Sequence, residues 1–414
     1  MCENNSLNYD KVISFAVCTQ ILIMGMKNTL VQGVPFLYAN NGLLNKLLFL
    51  IIGSIYFYAL IRTKDRFLMS GKSSLLIILL VVASFAGTFV FFPQNIPFML
   101  EWLPKTIPFC FITGYFISRL SSMQWIQYYM CRYAYLLTVC AMIAALYIFR
   151  NGQTTNARDY SMPLSYVVLV GAMWHLYDFF NHGSKAALLM AIIDVVIILA
   201  YGARNPLLAI GAYISVKILG NIKNKEIKYQ SRRLYVLFSL LAAAVFLCAV
   251  LLPEVIERFL LGLNINSRTI HLILVGRIFS SSGRGEIHRM LYDILNQYPL
   301  TGIGIAGDLC RIDESAHSLF ISIFVSYGYI LGTVIIILLT IAVLKALKAS
   351  HGSQHKVLVL FICMVLPRAF TGGDLWDSDV LWWLFGIILS ILGNKSTIKC
   401  RMNCRENYLG EYND

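Results

Sequence analysis

Charge is what this sequence has least of. Asp, Glu, Lys and Arg make up 13% of its 414 residues, against about 25% in a soluble globular chain. So few charges cannot cover a water-facing surface, which excludes an ordinary soluble protein. The chain is 58% hydrophobic with a mean hydropathy of +0.69. Those values fit a chain that crosses a membrane many times. The formal net charge of +13 would suit a nucleic-acid binder. The lysines, however, fall in short loops between apolar runs, where membrane proteins keep their cytoplasmic positive charge. No nucleic-acid partner is expected.

A cysteine pattern is missing too. The ten cysteines are scattered, six of them (Cys18, Cys110, Cys131, Cys140, Cys248 and Cys363) in apolar runs and Cys310 in a loop. No disulfide framework follows. Cys400 and Cys404 stand close together in the polar tail, but no second ligand pair accompanies them for a metal. A basic leader is also lacking. The first residues, MCENNSLNYD, are polar and acidic, so no cleaved signal is expected and the first span should insert by itself.

What is present is a series of apolar runs. They lie near 12–37, 43–61, 73–92, 98–118, 125–149, 162–181, 186–202, 206–219, 234–252, 318–344, 357–371 and 380–393. A hydrocarbon core needs roughly 20 apolar residues per helix, so these predict an all-α polytopic membrane protein with about twelve transmembrane helices. Glu101, Pro104 and Lys105 interrupt the fourth run. The expected layout is nine spans in 1–252, a large outer loop over 253–316, three spans in 317–393 and a tail over 394–414. Arg62, Lys64, Arg66 and Lys72 lie between spans two and three; Lys223, Lys225, Lys228, Arg232 and Arg233 between eight and nine; Lys345, Lys348 and Lys356 between ten and eleven. Lys395, Lys399, Arg401 and Arg405 follow the last span. With twelve spans all of these share one side, the cytoplasm, and both termini lie there.

The opposite face lacks lysine. Its basic residues are arginines, among them Arg204, Arg268, Arg277, Arg284, Arg289, Arg311 and Arg368. Arginine offers a planar fork that pairs bidentately with phosphate or carboxylate. The pattern reads either as an anion site or as translocated loops that shed lysine. Three stretches sharpen it. In ILAYGARNPLLAIGAYI, over 198–214, Asn205 is expected as an N-cap and Pro206 as the first helical residue. Arg204 would then stand beside a helix N-terminus, which attracts anions; snorkelling to headgroups is the plainer reading.

In GRIFSSSGRGEIHRMLYDILNQYPLTGIGI, over 276–305, a helix should start near Arg284 and end before Pro299. Ile287, Met290, Leu291, Ile294 and Leu295 fall at helical spacing, so this is an amphipathic helix packed on the membrane surface or the spans. The helix dipole disfavours a cation in the first turn. Arg284 therefore needs another reason to be there, and joint anion binding is one. His288 lies one turn on. The plainer alternative is a surface arginine and histidine on an interfacial helix. Gly302 and Gly304 allow a tight return to the membrane.

The third stretch is ESAHSLFISIFVSYGYILG, over 314–332. His317 is expected in the first turn of span ten, where a helix N-terminus favours neutral imidazole unless Asp313 or Glu314 offsets it. It reads as a general base or as an interfacial hydrogen-bonding residue. A metal held by Asp313, Glu314 and His317 has unremarkable spacing, and none is expected. Asp374, Asp377 and Asp379 face the same side, either orienting His317 or a sugar hydroxyl or simply solvated.

Together these stretches resemble the bacterial O-antigen polymerase and O-antigen ligase superfamily. The resemblance rests on Gly202-Ala203-Arg204-Asn205, on Gly283-Arg284 followed by Pro299-Leu300-Thr301-Gly302-Ile303-Gly304, and on His317-Ser318 with Gly328 after nine residues. The later family glycine falls on Leu331, with Gly332 beside it. The match in order runs from about 198 to 332.

The resemblance implies a bacterial inner-membrane enzyme with a periplasmic active site. It implies transfer of undecaprenyl-pyrophosphate-linked glycans without a cofactor or metal. Arg204 and Arg284 would contact the pyrophosphate and His317 the acceptor. Arg277 is added as an accessory contact, with His288 and Asp374 in support. The expected activity is polymerisation of lipid-linked repeat units of O-antigen or capsule type, with transfer to lipid A-core as the alternative. A chain-length regulator and membrane lipids are expected partners. A lipid-glycan flippase fits less well, because no six-plus-six repeat is visible.

Overall fold

The computed structural model describes residues 2–64, 72–151, 162–201, 204–223 and 284–393, together with Arg258 and Gly262. The described segments are helical, without strands. Among the described residues five helices are long and apolar enough to cross a membrane: Asn8–Gln32, Asn41–Arg62, Gln124–Ile148, Leu319–Ala349 and Gly352–Thr371. A sixth would be the pair Val81–Phe91 and Pro93–Pro104, bent by 108°. Helices also cover the expected sixth, seventh and eighth spans, at Met162–His182, Lys185–Tyr201 and Arg204–Lys223. The second of these has 17 residues, about 25 Å at 1.5 Å per residue, short of the roughly 30 Å hydrocarbon core. The ninth expected span, 234–252, lies outside the described residues.

The fourth apolar run departs from a plain span. It folds as Ile96–Thr106, a π-helical turn at Ile107–Ile112, and Thr113–Ser118. Pro104 sits inside the first piece and Pro108 in the π turn. A proline removes one ladder hydrogen bond and clashes one turn back, and π turns absorb that kind of irregularity.

The chain divides into two compact units. One comprises 18–52 and 127–281. Its described core is built by Met162–His182 against Lys185–Tyr201. Buried inside are Thr138, His175 and Asp194. The Thr138 hydroxyl donates to Asp194 Oδ2 at 3.1 Å and lies 3.0 Å from His175 Nε2. Gly171 makes room for them, because a Cβ there would meet Thr138 Oγ1 at 3.1 Å and Asp194 Oδ2 at 3.2 Å.

The other unit comprises 1–17, 53–126 and 282–414. Several of its long-range hydrogen bonds meet at the bend after Phe91. Asn95 is buried, and its side-chain amide donates to the carbonyls of Ile303 (2.7 Å) and Ile305 (3.0 Å). The Ile305 amide donates to Thr88 Oγ1 at 3.2 Å. The broken helix thus offers side-chain donors and acceptors to a loop that has no secondary structure to satisfy its own backbone.

The last apolar runs hold one further break. Leu319–Ala349 is continuous except at Gly328, whose φ of 74° and ψ of 176° are not helical. The stretch is therefore an arm, 319–327, followed by a helix over 329–349. That second piece alone is about 30 Å long, a full membrane crossing. Phe361 and Trp383 stack with centroids 5.4 Å apart in the final helices.

Candidate active site

The site is organised by the amphipathic helix Arg284–Gln297, whose bounds match the sequence reading. It buries Leu291 and Leu295, and Ile287 and Ile294 pack on a cluster of Leu291, Ile303, Ala316, Ile321 and Val325. Met290, expected on the packed face, is 46% exposed; it falls on the flank of the apolar stripe. The helix lies on the loop and on the 319–327 arm, so its apolar face is covered by protein.

The glycines of the two sequence motifs meet in one device. In an unbroken helix the Tyr329 amide would bond the Val325 carbonyl. Here the Tyr329 amide donates to Pro299 O at 2.7 Å, and Val325 O accepts the Ile303 amide at 2.8 Å. The Gly304 amide donates to Ser326 O at 3.2 Å. The Pro-Leu-Thr-Gly-Ile-Gly loop therefore fills the gap that Gly328 opens in the helix ladder. The approach is so close that a Cβ on Gly302 would stand 2.6 Å from Gly328 N, and one on Gly328 would strike Leu300 O. Both glycines also have left-handed φ, 64° and 74°, which side chains tolerate poorly.

Beyond this knot the chain is strained. Among the described residues three non-glycines have positive φ, namely Ala306, Asp313 and His317. All lie between 306 and 317, and such strain concentrates at functional sites. His317 was expected in the first helical turn. It instead precedes the N-cap, Ser318, with φ of 51°. Ser318 makes no side-chain cap bond; its hydroxyl is 3.5 Å from Ala369 O. Asn205 and Pro206 also move inward, because the helix already includes Arg204.

Around His317 the side chains converge. Its Nδ1 is 3.2 Å from Ser315 Oγ, and its Nε2 is 3.8 Å from Glu314 Oε2. The imidazole is 34% exposed. Burial lowers its pKa from the usual histidine value, and the Arg284 guanidinium and His288 push the same way, with Glu314 and Asp308 opposing them. Neutral imidazole is favoured, as the sequence suggested, though by burial and by Arg284 in place of a helix terminus. His288 Nε2 donates to Ala316 O at 3.0 Å. Arg284 donates through Nη1 to Thr371 O, which ties the amphipathic helix to the end of Gly352–Thr371.

Two acids complete the cluster. Asp374 Oδ2 accepts the Ser322 hydroxyl at 2.9 Å, and its Oδ1 accepts the Trp376 amide at 2.8 Å. Burial, and then the neighbouring Asp308, push its pKa up to about 7. Asp308 is buried and accepts the amides of Leu309 (3.0 Å) and Ala316 (2.9 Å). Asp379 is 3.5 Å from Arg368 Nη1. Among the described residues no three His, Cys, Asp or Glu side chains are grouped to hold a metal ion.

The unit thus brings together Arg284, His288 and His317, with Asp374 electrically linked to them through Asp308. Arg204 belongs to the other unit, and Arg277 lies outside the described residues. Sequence reading missed Asp308, Ser322 and Asn95. Asp308 had one signal, a lone acid in the otherwise apolar TGIGIAGDLC.

An apolar pocket of about 500 Å³ lies in the same unit, lined by Val82, Phe85, Ile107, Phe111, Trp382 and Phe385 among others. It adjoins the acid loop. Phe85 packs edge-on against Trp376 at 4.9 Å, and the Trp382 indole donates to Leu375 O at 3.0 Å.

Apolar helices of membrane length, with imidazoles, an arginine and buried acids gathered in the segments that connect them, define an integral-membrane protein with a polar site at its helix ends. Residues 187–337 match the family model described as O-antigen ligase, which supports a place in the O-antigen polymerase and ligase superfamily. The matched segment holds Arg204, Arg284, His288, Asp308, His317 and Gly328, and stops short of Asp374. No curated protein and no solved structure matches the chain.

Proposed function

We propose that this protein is a glycosyltransferase that joins polyprenyl-pyrophosphate-linked oligosaccharide repeat units, acting as a polymerase at the periplasmic face of a bacterial inner membrane. The observation that carries this reading is the convergence of Arg284, His288 and His317 on one strained loop, in a unit that also contains an apolar pocket. An acceptor hydroxyl attacks the anomeric carbon of the donor sugar. The bond from that carbon to the pyrophosphate oxygen breaks, and the hydroxyl proton passes to His317 Nε2. In the tautomer whose Nδ1–H donates to Ser315, Nε2 carries the lone pair. Polyprenyl pyrophosphate leaves with growing negative charge, which Arg284 meets with charge-assisted hydrogen bonds. Arg204 is assigned to the same pyrophosphate by the family resemblance alone, and Arg277 is added to it as an accessory contact. The pocket offers the donor's hydrocarbon tail an environment that a soluble transferase lacks.

A second reading has the same chemistry with lipid A-core as acceptor, and the description of the matching family favours it. Lipopolysaccharide from a deletion strain separates the two. One repeat unit on the core is expected for the polymerase. Bare core with accumulated lipid-linked polymer would make the protein a ligase, and a wild-type ladder would remove both.

A further inference from the structure

Asp308 has no role in the reaction as drawn, yet it is buried, at 5% exposure, in the short helix Gly307–Ile312 that leads to His317. Burying a carboxylate is costly unless its lone pairs are satisfied. Here backbone amides satisfy them. Oδ1 takes the amide of the next residue, Leu309, and Oδ2 reaches eight residues on to the amide of Ala316. Ala316 is itself fully buried, and its carbonyl accepts His288 Nε2–H at 3.0 Å. The two peptide planes that flank Ala316 are therefore both pinned, one by Asp308 and the other by His288. The second plane is the one from which His317 departs with its left-handed φ of 51°. A non-glycine residue holds that conformation only where the surroundings over-determine it.

We infer that Asp308 is the positioning residue of the site: it fixes the Ala316 peptide so that the His317 imidazole is presented in a strained, outward conformation. This rests on the reading of His317 as the proton acceptor. The groups that face His317 are Arg284 and His288 from the amphipathic helix, Asp308 from the short helix Gly307–Ile312 and Glu314 from the loop after it. Among them Asp308 and Glu314 favour imidazolium and the other two oppose it. Both oxygens of Asp308 accept from amides, so an asparagine side chain of the same shape can satisfy only one of them. Its NH₂ must face the other amide donor to donor.

The test uses the full-length protein in detergent or vesicles with a polyprenyl-pyrophosphate-linked glycan as substrate. Asp308→Asn is expected to lower kcat by about 10- to 100-fold with little change in KM. Removing the negative charge also moves the acid limb of the rate profile to lower pH. A double-mutant cycle with His317→Ala is the second readout. If Asp308 acts through His317, adding Asp308→Asn to His317→Ala costs nothing more. A variant whose limb coincides with wild type, or whose loss multiplies with that of His317→Ala, overturns the inference. If Asp308→Asn does not accumulate, Asp308→Glu is read in its place. Partial activity with a displaced limb supports the role, and a wild-type profile defeats it. Should His317→Ala itself keep full activity, the underlying reading of the reaction fails; an inactive His317→Ala beside a wild-type Asp308→Asn defeats only the role of Asp308.

Discussion

Two histidines, one in each unit, show how little a residue type and an acid neighbour say alone. His175 lies 3.9 Å from Asp194 and His317 lies 3.8 Å from Glu314. The distances are alike, and their surroundings are not. His175 is in mid-helix with its side chain wholly buried, bonded to Thr138 between regular helices. His317 is a third exposed, sits on left-handed backbone and faces Arg284 and His288. Regular backbone and full burial describe a polar contact that holds helices together. Strain, partial exposure and a cationic neighbour describe a group kept ready for something outside the protein.

The sharpest way to break that contrast is to remove each imidazole. His317→Ala should cut glycan transfer by about 10²- to 10⁴-fold, the usual worth of a placed base, with the thermal unfolding midpoint near wild type. His175→Ala should do the reverse. It should cost about 1–2 kcal/mol of stability, because Thr138 and Asp194 lose a buried partner, while turnover per folded molecule holds. Equal activity losses in the two variants would erase the distinction.

Arg284→Lys follows in size. A point charge replaces a fork that bonds Thr371 and faces His317, and kcat should fall about 100-fold. A wild-type rate would show that any cation suffices.

Smaller effects concern pH. His317 is held below the ordinary histidine value, so the acid limb of activity should lie below pH 6.5, and neutralising Arg284 should raise it. Asp374 works in the opposite sense. Its folded pKa of about 7 stands above the ordinary 3.8, so the folded state holds the proton more tightly. Its contribution to stability is full below about pH 4 and is lost as pH rises through about 7. The unfolding midpoint of Asp374→Asn should therefore fall less than that of wild type between pH 4 and 7. A parallel slope would remove Asp374 from the buried cluster.

The amphipathic helix was readable from sequence because Ile287, Leu291, Ile294 and Leu295 repeat at helical spacing and Pro299 follows them. Arg284, His288 and His317 were readable as candidates because motif spacing survives without knowledge of the fold. The true placement of His317 was not. The apolar run after it contains no proline, so nothing announced that Gly328 would interrupt the helix. Asp308 was hidden for a different reason. Its partners are backbone amides, which carry no residue identity, and its long-range partner is created only by the loop's return. Asn95 was equally silent, since its value depends on a bend and on carbonyls some two hundred positions away.

The exchange of hydrogen bonds at Gly328 has a consequence for how the protein comes apart. The amide of Tyr329 belongs to a membrane helix by sequence, but its acceptor is Pro299 in a loop. The amide of Ile303 belongs to the loop, but its acceptor is Val325 in the arm. Neither can open without the other. In deuterated water these amides should therefore exchange together, as one cooperative unit. A slow-exchanging island would then run through what looks like a surface loop, and the conformation of His317 would last as long as that island does.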